Sequence, residues 1–237
     1  MKIFASHLVS NDLEIGSGVE VLPLLPYSKL DTFVATHADM LISVIDNKIF
    51  CYGEYYNNNK EIFDEASELG YDVIKVSKEC SEKYPNDIGL NVLIMGKHIF
   101  ASLKNTATEI LEYAKEKGYI LVNVNQGYSG CSTLALTEND AITADKGIYD
   151  AIISSGKNAT LISDKGIKLE GYNCGFIGGA SCVINNCVYF FGNIKNHPDY
   201  SKIHEKIQSL NMHEKSISCG DVCDFGGAKV IFDKQYH

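Results

Sequence analysis

The sequence predicts an α/β fold: five similar units, each a β-hairpin with a helix and a further strand, closing into a ring around a central channel. Three observations predict it. A short hairpin pattern recurs about every 47 residues, a helical stretch and another strand follow each hairpin, and the two chain ends echo one another. The 237 residues are 45% hydrophobic and 22% charged, ordinary globular values with enough apolar content for a sizeable core.

The hairpins come first. Residues 41–51 read Leu-Ile-Ser-Val-Ile, then Asp46-Asn47-Lys48, then Ile-Phe-Cys. Residues 92–101, 134–143 and 182–191 repeat the pattern, with turns near Gly96, Asn139 and Asn186. Each is two β-rich runs around Asn or Gly, residues that tolerate the positive φ of a tight turn. From Asn47 onward the turn separations are 49, 43 and 47 residues. One more step lands at Asp233, where Ala228–Phe232 supplies a first hairpin strand and no second one follows. Ile3-Phe4-Ala5-Ser6 matches Ile99-Phe100-Ala101-Ser102 letter for letter, in the position of a second strand. Strand Lys2–Ser6 is therefore expected to pair antiparallel with Ala228–Phe232, which leaves no open edge.

Helical stretches follow over Asn59–Leu69, Thr106–Lys117, Lys146–Ser155 and Tyr200–Leu210. Each is followed by Gly or Asn, which suits a left-handed cap. Asp145 and Pro198 are good helix starts. Strands are expected at Tyr71–Val76, Tyr119–Val124, Ala159–Ser163 and Lys215–Ser218, and at Val19–Leu25 in the first unit, where Asn11–Gly18 is too short to read as a clear helix. The units run approximately 1–48, 49–97, 98–140, 141–187 and 188–237, forming one domain. A period of this size signals an array or propeller. All-β blades contain no helix, and a doubly wound parallel sheet leaves the tight hairpins unexplained, because parallel strands need crossovers.

The net charge of -9 and pI near 5.2 argue against nucleic-acid or anionic-membrane binding. No apolar run approaches the ~18 residues of a spanning helix, and the first residues do not read as a signal peptide. Eight cysteines without CxxC spacing read as reduced thiols of a cytoplasmic protein, with neither metal nor organic cofactor.

Five β-and-α units closing on a channel resemble the pentein, or α/β-propeller, fold over the whole chain. That family includes guanidine-modifying enzymes (arginine and agmatine deiminases, dimethylarginine dimethylaminohydrolases, amidinotransferases) and a non-catalytic ribosome anti-association factor. The resemblance implies a small-molecule ligand in the channel and a site in the loops preceding the hairpins. Covalent hydrolysis of a guanidine needs a thiolate, a His to move protons and carboxylates to hold the cation. Cys223 matches the family's nucleophile by its place in the last unit. Asp39 stands before the first hairpin, where the enzymes grip the guanidinium, and His37 is two residues earlier. The third loop offers Cys131 in place of an acid, and the fourth lacks the expected His, so the catalytic set is incomplete. The candidate catalytic residues are therefore Cys223, Cys131 and His37. The candidate ligand-binding residues are Asp39, Asp87, Asn91, Gln126, Tyr128, Phe176 and Asp221. Two readings follow: a thiol-dependent guanidine or amidine hydrolase, or a non-catalytic pentein that binds a small ligand, a protein partner or a second copy of itself. Asp39, Asn91, Cys131, Gly179 and the Asp224–Gly227 segment are expected to converge on one channel mouth.

Overall fold

Short β-rich runs pair into five three-stranded sheets in the computed structural model, which describes residues 1–233. In chain order the elements begin with β1 (Lys2–Ser6), α1 (Ser10–Ser17) and β2 (Val21–Leu24). The second unit holds α2 (Ala38–Leu41), β3 (Ile42–Ile45), β4 (Lys48–Tyr52), α3 (Gly53–Asn58), α4 (Lys60–Glu68) and β5 (Asp72–Val76). Then come β6 (Leu93–Met95), β7 (His98–Ala101), α5 (Thr108–Glu116) and β8 (Ile120–Asn123). The next unit comprises β9 (Thr133–Ala135), β10 (Asp140–Thr143), α6 (Lys146–Ser154) and β11 (Asn158–Leu161). The last elements are β12 (Ser181–Ile184), β13 (Cys187–Phe190), α7 (Tyr200–Ser209), β14 (His213–Ser216) and β15 (Ala228–Ile231).

Four of the sheets share one plan, and in the fifth the terminal strands β15 and β1 stand in for the hairpin. A hairpin pairs two strands antiparallel, and a helical crossover returns the chain to lie parallel beside the second. The second hairpin strand is thus central in its sheet, which is why Ile-Phe-Cys, Ile-Phe-Ala and Val-Tyr-Phe are continuous apolar runs rather than alternating ones. The ring closes as the terminal echo requires: Lys2 pairs with Ile231, Ile3 with Val230, Phe4 with Lys229 and Ala5 with Ala228. β1 also pairs parallel with β2, so it is the middle strand of its own sheet.

Two local expectations are corrected. Ser10–Ser17 is a helix despite its weak apolar pattern. It is anchored by buried Leu13 and stopped by Gly18, whose φ of 69° lets its N–H reach the Glu14 carbonyl. The helix expected over Asn59–Leu69 is present as α4, and Asn59 separates it from the additional short helix α3. The positive-φ turn residues are Asp46 and Asn185, one position before the Asn residues chosen from sequence, together with Gly96. Left-handed caps follow all five crossover helices, at Gly18, Gly70, Gly118, Gly156 and Asn211.

The five first hairpin strands line the axial channel. Val44, Ile94, Ala135, Val183 and Val230, one from each, line it half-buried. The loops that precede these strands meet at one end of the channel, and that end carries the candidate site.

Candidate functional site

Glycine brings the loops together. Asp39 N–H donates to the Gly226 carbonyl at 3.1 Å, Gly179 N–H to the Cys131 carbonyl at 3.1 Å, and Gly227 N–H to the Gly179 carbonyl at 2.7 Å. A Cβ at Gly226, whose φ is +80°, would stand 2.2 Å from the His37 Cβ. A Cβ at Gly179 would stand 2.0 Å from Asp224 Oδ1. No side chain fits at either position, so the close approach requires glycine.

Within this knot lie His37, Asp39, Asn91, Cys131 and Asp224, all buried. The Asp224 carboxylate accepts the N–H groups of Phe176 and Gly226, both at 2.9 Å, and its Oδ1 is 3.7 Å from His37 Nδ1. Asp39 lies beside the Cys131 thiol, and neither of its oxygens has a hydrogen bond of ordinary geometry. Burial pushes both carboxyls above the usual range. The Asp39 charge raises Asp224 further, while Lys229, then the Cys131 thiol, pull Asp39 down. Burial alone pushes His37 down to about 3, so the imidazole is neutral at physiological pH. Asn91 fixes Cys131: its Oδ1 accepts the N–H groups of Gly130 at 2.8 Å and Cys131 at 3.3 Å, and its Nδ2 donates to the Cys131 sulfur at 2.9 Å. Burial, then the Asp39 and Asp224 charges, hold the Cys131 thiol well above its ordinary value.

His37, Cys131 and Asp224 face a cavity of about 260 Å³ walled by Tyr128, Phe176 and Met40. It shares His37, Leu169, Tyr172, Asn173 and Asp224 with a vestibule of about 810 Å³. Tyr128 donates its hydroxyl to Asp87 at 2.6 Å, so Asp87 stands behind the aromatic wall; burial raises its carboxyl.

The expected convergence of Asp39, Asn91, Cys131, Gly179 and Asp224–Gly227 is thus present, but three candidates lie elsewhere. Gln126 donates to Asp145 Oδ2 at 3.0 Å and accepts Tyr128 N–H at 3.1 Å, clipping its loop to the start of α6. Asp221 is exposed and pairs with Lys168 at 2.5 Å. Cys223 lines the vestibule; its half-buried sulfur points to the Asp221 carbonyl at 3.5 Å, and burial, then Asp221, raises its thiol. Among the described residues no thiol hydrogen-bonds to His37. Sequence reasoning placed Asp224 at the mouth without giving it a role, and missed Met40, Tyr172, Asn173 and Cys174 in the cavity wall. The available signal for Asp224 was an acid directly before Phe225-Gly226-Gly227, where the chain must turn tightly against the axis. Among the described residues no group of three or more His, Cys, Asp or Glu is placed to hold a metal ion, and no helix is long and apolar enough to cross a membrane.

A model of the DUF6873 family, described as a family of unknown function, matches residues 6–228. The chain belongs to that family. Among curated proteins no match is found. Solved structures do match. A dimethylarginine dimethylaminohydrolase mutant from Pseudomonas aeruginosa, complexed with citrulline, is 12% identical with TM-score 0.56, over 91% of each chain. An amidinotransferase from Microseira wollei, of the saxitoxin biosynthetic pathway, is 10% identical with TM-score 0.58, over 94% of this chain and 78% of its own. A C. jejuni agmatine deiminase is 13% identical with TM-score 0.52, over 91% and 75%. This DUF6873 protein therefore has the pentein fold of the guanidine-modifying enzymes.

Proposed function

We propose that the protein binds a small cationic ligand, an amidine or guanidine, in the cavity against Asp224. The buried acid pair carries this reading. Two carboxyls without a basic partner in hydrogen-bond contact are costly in a desolvated site, and an entering cation offsets that cost. Asp224 uses two of its roughly four acceptor sites on backbone N–H groups and keeps the others for a planar, multi-donor cation. Asp39 adds a second negative field from behind, and Tyr128 and Phe176 offer faces to the ligand. The folds of the guanidine-modifying enzymes support the same ligand class. Titration calorimetry with methylguanidine and benzamidine tests it. Binding to wild type that is lost in a folded Asp224→Asn variant is the expected result. Absence of heat and of thermal shift with both probes overturns the reading.

A second reading adds chemistry, because the Cys131 sulfur faces the cavity. Cys131 would pass its proton to Asp39, and the sulfur would bond to the amidine carbon. The displaced amine would leave with that proton, and water would then free the thiol and release the carbonyl product. With the thiol held high, this requires the bound cation to favour the thiolate. Iodoacetamide labelling of Cys131, blocked by methylguanidine, with amine release lost in Cys131→Ser and kept in Cys223→Ser, is the pattern expected. Loss in Cys223→Ser alone assigns the chemistry to the vestibule thiol instead.

A further inference from the structure

The chain contains no arginine: all 21 of its basic residues are lysines. That bears on what can enter the cavity. A ligand with an amino-acid end carries a carboxylate, and a carboxylate taken from water needs a cationic or multi-donor partner. Among the described residues lining the cavity and the vestibule, Lys168 is the only lysine. Its ammonium is already paired with Asp221 at 2.5 Å, on the exposed outer side. His37 is neutral and faces Asp224.

The acids that line the vestibule are Glu170 and the buried Asp224, and further carboxylates stand behind its wall. Glu170 lines the vestibule and is exposed. Tyr172, at the junction of vestibule and cavity, interacts with Asp31 and lies in the field of Asp87. Cys174 in the cavity wall lies in the fields of Asp164 and Asp224. A ligand whose cation reaches Asp224 therefore lays its other end beside Glu170 and the apolar faces of Phe33, Tyr172 and Phe225. A second cation or an uncharged apolar tail is compatible with that surface, and a carboxylate is repelled by it.

Resting on the cation-binding reading above, we infer that the site selects ligands without a carboxylate: diamines and amino-guanidines or amidines with an uncharged or cationic far end, in preference to amino acids. The class follows from the acidic, arginine-free entrance and not from the reacting group, which both kinds of compound share.

The test compares matched pairs that differ only by the carboxylate: agmatine against arginine, and putrescine against ornithine, by titration calorimetry at low salt. The carboxylate-free member of each pair should bind at least roughly tenfold more tightly, about 1.4 kcal/mol, since juxtaposed like charges oppose binding. The gap should narrow as salt rises, and narrow again in the Glu170→Lys variant, whose exposed position leaves folding unaffected. Equal affinity within both pairs overturns this inference and leaves the cation-binding reading standing. Failure of all four compounds, with methylguanidine and benzamidine also silent, overturns the binding reading and this inference with it. A gap that Glu170→Lys does not change removes the electrostatic explanation and overturns the inference on its own.

Discussion

Gly179→Ala should be among the most damaging single-methyl additions available in this chain, and its cost can be worked from contacts. The new Cβ would lie 2.0 Å from Asp224 Oδ1, 2.5 Å from its Cγ and 2.7 Å from Oδ2, where nothing closer than about 3.0 Å is tolerated. Asp224 cannot swing aside freely, because its two oxygens hold the N–H groups of Phe176 and Gly226 at 2.9 Å. Overpacking a tight interior costs about 1–3 kcal/mol, and each hydrogen bond to a charged group is worth about 1.5–3 kcal/mol. Losing one such bond while straining the knot gives a destabilisation on the order of 3–5 kcal/mol. In a chain of this length each kcal/mol moves the melting temperature by roughly 2–4 °C, so a fall of roughly 6–20 °C is expected. Gly118→Ala is the control. Gly118 has φ +70° with nothing within 4 Å of its Cβ position, so only the backbone penalty of about 1 kcal/mol applies. Urea unfolding of both variants measures the difference. The clash with Asp224 also predicts strong coupling, so Gly179→Ala combined with Asp224→Ala should cost less than the two singles added together. Gly179→Ala no worse than Gly118→Ala, or strictly additive energies, would refute the argument.

Three further outcomes follow from other parts of the molecule. Deleting residues 1–6 removes the central strand of its sheet and leaves β15 and β2 both unpaired, so the protein should aggregate; a soluble deletion with unchanged melting counts against terminal closure. The Asp39 and Asp224 carboxyls hold protons more tightly folded than unfolded, so their contribution to stability falls as pH rises from about 4 toward neutrality. His37, depressed to about 3, binds protons more tightly when unfolded, so its contribution is present above pH ~6.5 and is lost as pH falls toward 3. His37→Asn should therefore unmask a falling slope with rising pH, and Asp39→Asn with Asp224→Asn a rising one; identical pH profiles in all variants would show that these groups do not govern the dependence. Asp145 caps α6 by accepting Ile148 N–H at 2.8 Å and also holds Gln126, so Asp145→Ala should cost about 1–2 kcal/mol and couple measurably to Gln126→Ala in a double-mutant cycle.

The ring was legible because its determinants are local and repeated. A hairpin needs a turn residue and two β-rich runs, a crossover helix needs a left-handed stop, and both recur at a fixed spacing, so each copy checks the others. Even the long-range closure was readable, because the Ile-Phe-Ala-Ser echo identifies β1 as a second hairpin strand that has lost its neighbour in sequence. The helix at Ser10–Ser17 was missed because its anchor is a single buried leucine, and one residue makes no period.

The site was legible only in outline, for a different physical reason. Which loops meet follows from the repeat, so the convergence of Asp39, Asn91, Cys131 and Asp224 could be expected. What each does there depends on distances of a few tenths of an ångström between loops far apart in the chain. Gln126 and Asn91 are both amides in equivalent loops, yet one clips a helix start while the other holds a cysteine, because Asn91 stands buried just before β6 and Gln126 stands half-buried near the start of the loop before β9. Asp221 and Asp224 are three residues apart. One is exposed and neutralised by Lys168; the other is buried, raised and hydrogen-bonded to two backbone amides. The difference is made by Gly179 and Gly226, whose missing side chains leave the space in which Asp224 and His37 meet. The glycines that read as space-savers for five loops at one axis are therefore also what sets the electrostatics of the site, since only their absence of a Cβ allows two carboxyls, a neutral imidazole and a protonated thiol to share one desolvated pocket.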